Sequence, residues 1–139
     1  MIGVLLVTHG QIGASLLESA AQIIDKAPRL AATLGVSRVD DPDDLALRAR
    51  RLVKQLDEGD GVLILTDIFG ATPGNVIARL LEDGRVEGVS GLSLPMLLRV
   101  LTSRDRSGPE ALRAAVQRAL SGGAEGLVHM NTDRCCDAK

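Results

Sequence analysis

The sequence is almost free of aromatic side chains: it has no Trp, no Tyr and a single Phe, Phe69. Proteins that bind single-stranded nucleic acid stack the bases on several aromatic rings, and this chain cannot supply them. An excess of basic residues is missing as well, because 16 Lys and Arg stand against 18 Asp and Glu. Since nucleic-acid-binding surfaces are strongly basic, we expect no nucleic acid among the partners of this protein.

Long hydrophobic runs are also missing. No apolar run approaches the ~18 residues of a transmembrane helix, so we expect no insertion into the membrane. The apolar start, residues 1–7, lacks the basic first part and the small-residue cleavage site of a signal peptide, and is typical of a first β-strand.

Cysteine is scarce, and its placement is informative. The two cysteines, Cys135 and Cys136, are adjacent. Their Cα atoms are therefore about 3.8 Å apart, which is too close for an unstrained disulfide. This pattern indicates a reduced, cytoplasmic protein. With no second pair of cysteines, we also expect no zinc site.

Strand and helix patterns alternate along the 139 residues. Strands are predicted at residues 2–7, 32–39, 61–66, 86–92 and 126–130, with helices at about 14–26, 42–58, 73–82, 95–102 and 109–120. This alternation predicts an α/β fold with a mostly parallel sheet flanked by helices on both faces. We expect one domain over residues 1–131 and a polar tail over residues 132–139.

Polar residues follow the two most apolar strands. Thr8, His9 and Gly10 come after the first, and Asp67 comes directly after residues 61–66. In parallel α/β folds, ligands bind beyond the carboxyl ends of the strands, where the strand order reverses. Imidazole is a nucleophile that titrates near neutral pH. If the two strands are neighbours, Asp67 can hold one ring nitrogen of His9 and leave the other free to attack.

A glycine-rich turn at residues 67–75 follows Asp67 and leads into a helix. Backbone N–H groups at such a helix start, together with a threonine hydroxyl, can hold phosphate oxygens. Glycine also allows an anion to approach the backbone closely. The predicted phosphate contacts are Gly10, Gly70, Ala71, Thr72 and Asn75. Thr72 is also a candidate N-cap, because Pro73 follows it.

Each of these residues also has a purely structural interpretation. A single histidine after a strand is often a polar loop residue, and Asp67 or Thr72 alone is more often a helix cap. We interpret the second histidine, His129, as structural, since it lies in the weak strand predicted at 126–130. Residues 104–106 are interpreted as an exposed loop.

Three segments of the chain resemble one known family. They are residues 2–10 (IGVLLVTHG), residues 65–75 (LTDIFGATPGN) and residues 89–97 (VSGLSLPML). In this order they resemble the mannose-family (mannose/fructose/sorbose) enzyme IIA component of the bacterial phosphoenolpyruvate-dependent sugar phosphotransferase system. The departures are Ala71 in place of a second glycine, Ser93 in place of asparagine, and Arg99 where an acid is common.

The resemblance implies a flavodoxin-like sheet, in a homodimer that exchanges an antiparallel C-terminal strand. It implies that His9 accepts phosphate from the phosphocarrier HPr, that Asp67 orients His9, and that Thr72 contacts the phosphate. The acceptor is then a IIB component or a regulatory protein. No cofactor and no metal are expected.

Three other functions remain open from the residues. A phosphocarrier subunit of a dihydroxyacetone kinase would use the same chemistry for a different acceptor. A histidine phosphatase or phosphomutase carries Arg-His-Gly after its first strand, but here Thr8 replaces the arginine that would clamp the phosphate. A ligand-binding domain of flavodoxin type would need aromatic residues, and only Phe69 is available.

Overall fold

The fold is a four-stranded parallel sheet between two layers of helices, and the computed structural model describes residues 1–133. The strands are β1 (Gly3–His9), β2 (Ala31–Val36), β3 (Val62–Thr66) and β4 (Val86–Ser90), and the helices are α1 (Ile12–Ile24), α2 (Pro42–Leu56), α3 (Thr72–Ala78), α4 (Leu94–Leu101) and α5 (Ala111–Glu125). The strand order is β2-β1-β3-β4. The predicted α/β class is therefore confirmed, and the order reverses between β1 and β3.

Both faces of the sheet are covered, which explains why its central strands read as unbroken apolar runs. Alternate residues of β1 and β3 point to opposite layers. One face carries α1, α4 and α5 against Val4, Leu6, Leu63 and Leu65. The other carries α2 and α3 against Leu5, Val7, Val62 and Ile64. No helix within residues 1–133 is long and apolar enough to cross a membrane.

The predicted C-terminal strand is wrong for the single chain. Helix α5 continues through residues 121–123 to Glu125, and residues 126–130 join no strand. The glycines in this stretch serve close packing: a Cβ on Gly122 would lie 2.8 Å from the Cβ of Arg99 on α4. An ion pair of 2.5 Å between Arg99 and Glu125 holds the extended end of α5. Of the predicted tail, residues 134–139 with both cysteines lie outside the described residues.

The predicted exposed loop at residues 104–106 is wrong at its first residue. Arg104 is 4% exposed and donates hydrogen bonds to the carbonyl oxygens of Ile2, Leu30 and Arg29. Burial lowers the pKa of its guanidinium. This side chain attaches the connection between α4 and α5 to the starts of β1 and β2. It therefore lies at the amino ends of the strands, whereas His9 lies at their carboxyl ends.

Candidate functional site

The centre of the site is a direct contact between His9 and Asp67. His9 ends β1 and Asp67 follows β3, and these two strands are paired neighbours, so both side chains reach the same edge of the sheet. Nδ1 of His9 lies 2.9 Å from Oδ2 of Asp67. The same carboxylate oxygen accepts the backbone N–H of His9 at 3.1 Å. The pairing predicted from the sequence is present in the structure.

The other oxygen of Asp67 fixes the orientation of the carboxylate. Oδ1 accepts the backbone N–H of Ile68 at 3.0 Å and lies 3.4 Å from the hydroxyl of Thr66. Burial alone would raise the pKa of Asp67, whose side chain is 11% exposed. The hydrogen bonds from His9 and Ile68, together with the charge of a protonated ring, outweigh this effect and lower the pKa. Asp67 is therefore a fixed, ionised acceptor.

This arrangement determines which nitrogen of the ring can react. An ionised carboxylate accepts only, so Nδ1 must carry the hydrogen. In the neutral ring Nε2 then holds the lone pair and is the nucleophilic nitrogen. The His9 side chain is 46% exposed, which leaves the ring open to a second protein.

The predicted phosphate contacts lie at the same edge of the sheet, in two turns. Gly10 adopts a left-handed conformation with φ of 48°, and its N–H donates to the carbonyl of Val36 at 2.9 Å. That N–H is therefore occupied. A Cβ on Gly10 would meet nothing within 4 Å, so the space above it is open. Gly10 therefore leaves room for an anion beside its Cα, while its backbone N–H remains bonded to Val36.

The second turn carries Gly70, Ala71, Thr72 and Asn75. The structure places Ala71 at the N-cap of α3, with no side-chain cap, so the predicted capping role of Thr72 is wrong. Thr72 is instead the first helical residue, and its side chain is exposed. Asn75 is exposed as well, and its backbone N–H donates to Ala71. Within residues 1–133, no hydrogen bond joins this turn to His9.

The sequence reasoning missed the part played by Thr8. Its side chain is 1% exposed, and its hydroxyl accepts the backbone N–H of Gly13 at 2.8 Å. A polar residue inside an apolar strand, directly before the candidate histidine, was the available signal. Because this side chain is buried and already paired, position 8 cannot present the phosphate clamp of a histidine phosphatase.

A family model described as the fructose IIA component of the phosphotransferase system matches residues 3–117. The matched stretch includes β1, β3, His9, Asp67 and the turn at residues 70–75. The chain belongs to this family. As a IIA component it is a phosphoryl carrier of the mannose family, and neither the histidine phosphatase or phosphomutase nor the phosphocarrier subunit of a dihydroxyacetone kinase is favoured.

Individual IIA proteins support the same assignment. The fructose-specific EIIA component of Bacillus subtilis is 34% identical over 106 residues, which cover 76% of this chain and 72% of that protein. The mannose-specific EIIAB component of Escherichia coli K12 is 27% identical over 105 residues. These residues cover 75% of this chain but only 32% of that longer protein. The crystal structure of an EIIA component from Streptococcus agalactiae has a TM-score of 0.82 at 27% identity, covering 95% of this chain and 99% of that one.

Proposed function

We propose that this IIA component accepts a phosphoryl group on Nε2 of His9 from HPr and passes it to a IIB component or a regulatory protein. The observation that carries the proposal is the 2.9 Å contact between Nδ1 of His9 and Oδ2 of Asp67. It fixes the ring, assigns the hydrogen to Nδ1 and leaves Nε2 as the nucleophile. We place this exchange in the cytoplasm, in keeping with two adjacent cysteines that are badly placed to pair.

The transfer can be written with the residues present. The lone pair of Nε2 attacks the phosphorus of the donor, the new P–N bond forms, and the donor's own P–N bond breaks with its electron pair returning to the donor nitrogen. The His9 ring gains positive charge as the bond forms. Asp67, held ionised beside Nδ1, stabilises that charge and takes no proton. Transfer to the acceptor reverses these steps.

The surroundings of His9 suit contact with a protein. Phe69 is 84% exposed and Ile68 57%, both in the turn that follows β3, and Ile12, the first residue of α1, is 46% exposed. Exposed apolar side chains beside a polar centre are typical of protein interaction sites. In the same proposal, Gly10, Gly70, Ala71, Thr72 and Asn75 surround the phosphoryl group, with the exposed Thr72 hydroxyl as a hydrogen-bond donor.

Labelling tests this function directly. Incubation with phosphoenolpyruvate, enzyme I and HPr should place one phosphoryl group on each chain. The label should be lost in acid and kept in base, as a phosphoramidate requires. A reaction without HPr is the control and should leave the chain unlabelled; no label with all components present would contradict the proposal.

The phosphorylated protein should be long-lived until its acceptor arrives. Hydrolysis requires a base that activates water. Among residues 1–133, Asp67 is the carboxylate in ion-pair contact with His9, and it is occupied by Nδ1 and two N–H groups. We expect slow loss of label in neutral buffer and rapid loss when a cognate IIB component is added. Fast spontaneous loss, with repeated turnover of a simple phosphoester, would instead indicate a phosphatase.

We also propose that the chain forms a homodimer through residues 126–130. Leu127 is 85% exposed, Met130 76% and Val128 51%, which leaves an apolar segment uncovered at the end of α5. Within the described residues, β4 pairs with β3 on one side, and on its other edge an antiparallel bridge to Glu82 occupies Val86 alone, so the rest of that edge has no strand partner. An extended segment from a second chain, added antiparallel to that edge, would cover both features.

Light scattering should therefore show a dimer, and a chain truncated after Glu125 should be a monomer. Truncation after Asn131 is the matched control, since it keeps residues 126–130 and should keep the dimer. A full-length chain that stays monomeric at high concentration would rule out this exchange.

A further inference from the structure

The turn that follows His9 is held by a hydrogen bond outside the proposed phosphate contacts. Helix α1 begins at Ile12, and its N-cap residue, Gln11, provides no side-chain acceptor. The first N–H groups of a helix lack partners within the helix and are normally capped by a side chain at the N-cap. Here Thr8, in the preceding strand, accepts the N–H of Gly13 at 2.8 Å.

The strand and the helix are close enough for this bond because residue 13 has no side chain. A Cβ on Gly13 would lie 3.0 Å from Oγ1 of Thr8 and 3.2 Å from the Cβ of Leu6. The Thr8 hydroxyl also lies 3.3 Å from the carbonyl oxygen of His9, to which it can donate. A single buried hydroxyl thus contacts both the peptide that follows His9 and the first turn of α1.

The other end of the turn is fixed independently. Gly10 donates its N–H to Val36 on β2, and its carbonyl oxygen rests against Gly35, where a Cβ would lie 2.4 Å away. The backbone that carries His9 is therefore held by β2 at Gly10 and by Thr8 at Gly13. Removing the second attachment would leave the buried Gly13 N–H without a partner and would free the start of α1 to move.

We propose that Thr8 is a positioning residue for phosphoryl transfer, acting through the cap that its buried hydroxyl provides for helix α1. Held in this way, the turn after His9 keeps the imidazole in line with the incoming phosphorus and keeps the positive end of α1 near the phosphoryl group. The proposal rests on the proposed function of His9, but it concerns a residue that contacts neither phosphate nor partner.

The substitution Thr8→Val tests this role, because valine has the shape of threonine without the hydroxyl. We expect kcat for transfer from HPr to fall by about tenfold to a hundredfold, as for other small losses of alignment. KM for HPr should change much less than kcat, since Thr8 is 1% exposed and does not itself touch the partner. The Gly13 amide proton should exchange with solvent faster than in the unsubstituted protein.

Two further variants separate the hydroxyl from general packing. Thr8→Ser keeps the hydroxyl and should restore most of the transfer rate and the slow exchange of Gly13. Thr33→Val makes the same change on the neighbouring strand β2 and should leave both measurements unchanged. If Thr8→Val does not fold, Thr8→Ala replaces it in the same comparison with Thr8→Ser.

The outcomes are distinct. A normal kcat in the variant without the hydroxyl, unchanged exchange at Gly13, or a Thr8→Ser variant as slow as Thr8→Val would each overturn the positioning role. If the proposed function itself is wrong, the result is different, because the unsubstituted protein would then take up no phosphate label. In that case the Gly13 exchange still reports whether Thr8 caps the helix.

Discussion

His9→Ala should abolish phosphoryl uptake from HPr, while His129→Ala should leave uptake at the level of the unsubstituted protein. Alanine has no nucleophilic nitrogen, so the variant should take up no phosphate at all, even after long incubation. The fold should survive, because the backbone N–H of residue 9 still reaches Oδ2 of Asp67 and the His9 side chain is half exposed. The measurement is transfer of labelled phosphate from phosphoenolpyruvate through enzyme I and HPr.

His129 is the matched control because the chain contains only these two histidines. It is exposed, and within residues 1–133 its ring forms no ion pair, in contrast to the ring of His9. The contacts of His129 run through its carbonyl oxygen, which accepts the N–H and hydroxyl of Thr132. Label that persists in His9→Ala and disappears in His129→Ala would reverse the assignment.

The sequence predicts the contact between His9 and Asp67 because both residues lie at strand ends. Unbroken apolar runs identify β1 and β3. A residue that ends or directly follows such a strand must lie at the carboxyl end of the parallel sheet. Once these strands are neighbours, His9 and Asp67 must lie at one edge of the sheet. The family resemblance supports the same pair through the motifs at residues 2–10 and 65–75.

The errors of prediction lie where long-range contacts outweigh local preference. Glycines at 122 and 123 favour a hinge in isolation, yet α4 lies close enough that glycine is what fits there. Arg104 has the polarity of an exposed loop, yet it is buried and donates hydrogen bonds to three backbone carbonyls. The Thr8 hydroxyl is used by Gly13, five residues later, through a contact that depends on how α1 packs on β1.

Asp67 also links the site to the stability of the fold. Its pKa is lower in the folded chain than in an unfolded one, so the folded state binds the proton less tightly. By linkage, the resulting stabilisation is present above the ordinary carboxyl range and is lost as the pH falls through the folded pKa of Asp67. Urea unfolding at neutral and acidic pH should show this loss, and Asp67→Asn should reduce it.

Two substitutions of Asp67 should separate its charge from its hydrogen bonds in catalysis. Asp67→Ala removes both, and we expect transfer from HPr to slow by about a hundredfold or more, the scale of losing one fixed group that stabilises charge in the transition state. Asp67→Asn keeps the shape but loses the charge that stabilises the ring as the P–N bond forms. Its amide also cannot satisfy every contact, since an oxygen facing the two donors of His9 turns the NH₂ group toward the N–H of Ile68.

We therefore expect Asp67→Asn to lie between Asp67→Ala and the unsubstituted protein in transfer rate. NMR of the ring nitrogens provides the independent readout: in the unsubstituted neutral ring the hydrogen should be on Nδ1, and in Asp67→Ala both tautomers should be populated. Thr72→Val is a useful comparison, because Thr72 lies at the same edge of the sheet as His9. Its hydroxyl is a proposed hydrogen-bond donor to the phosphoryl group, so its loss should slow transfer. Since Thr72 makes no hydrogen bond to His9 within residues 1–133, the tautomer should not change. If Asp67→Ala transferred phosphate at the normal rate with the hydrogen still on Nδ1, the contact between His9 and Asp67 would be structural, and the ring would be oriented by something other than this carboxylate.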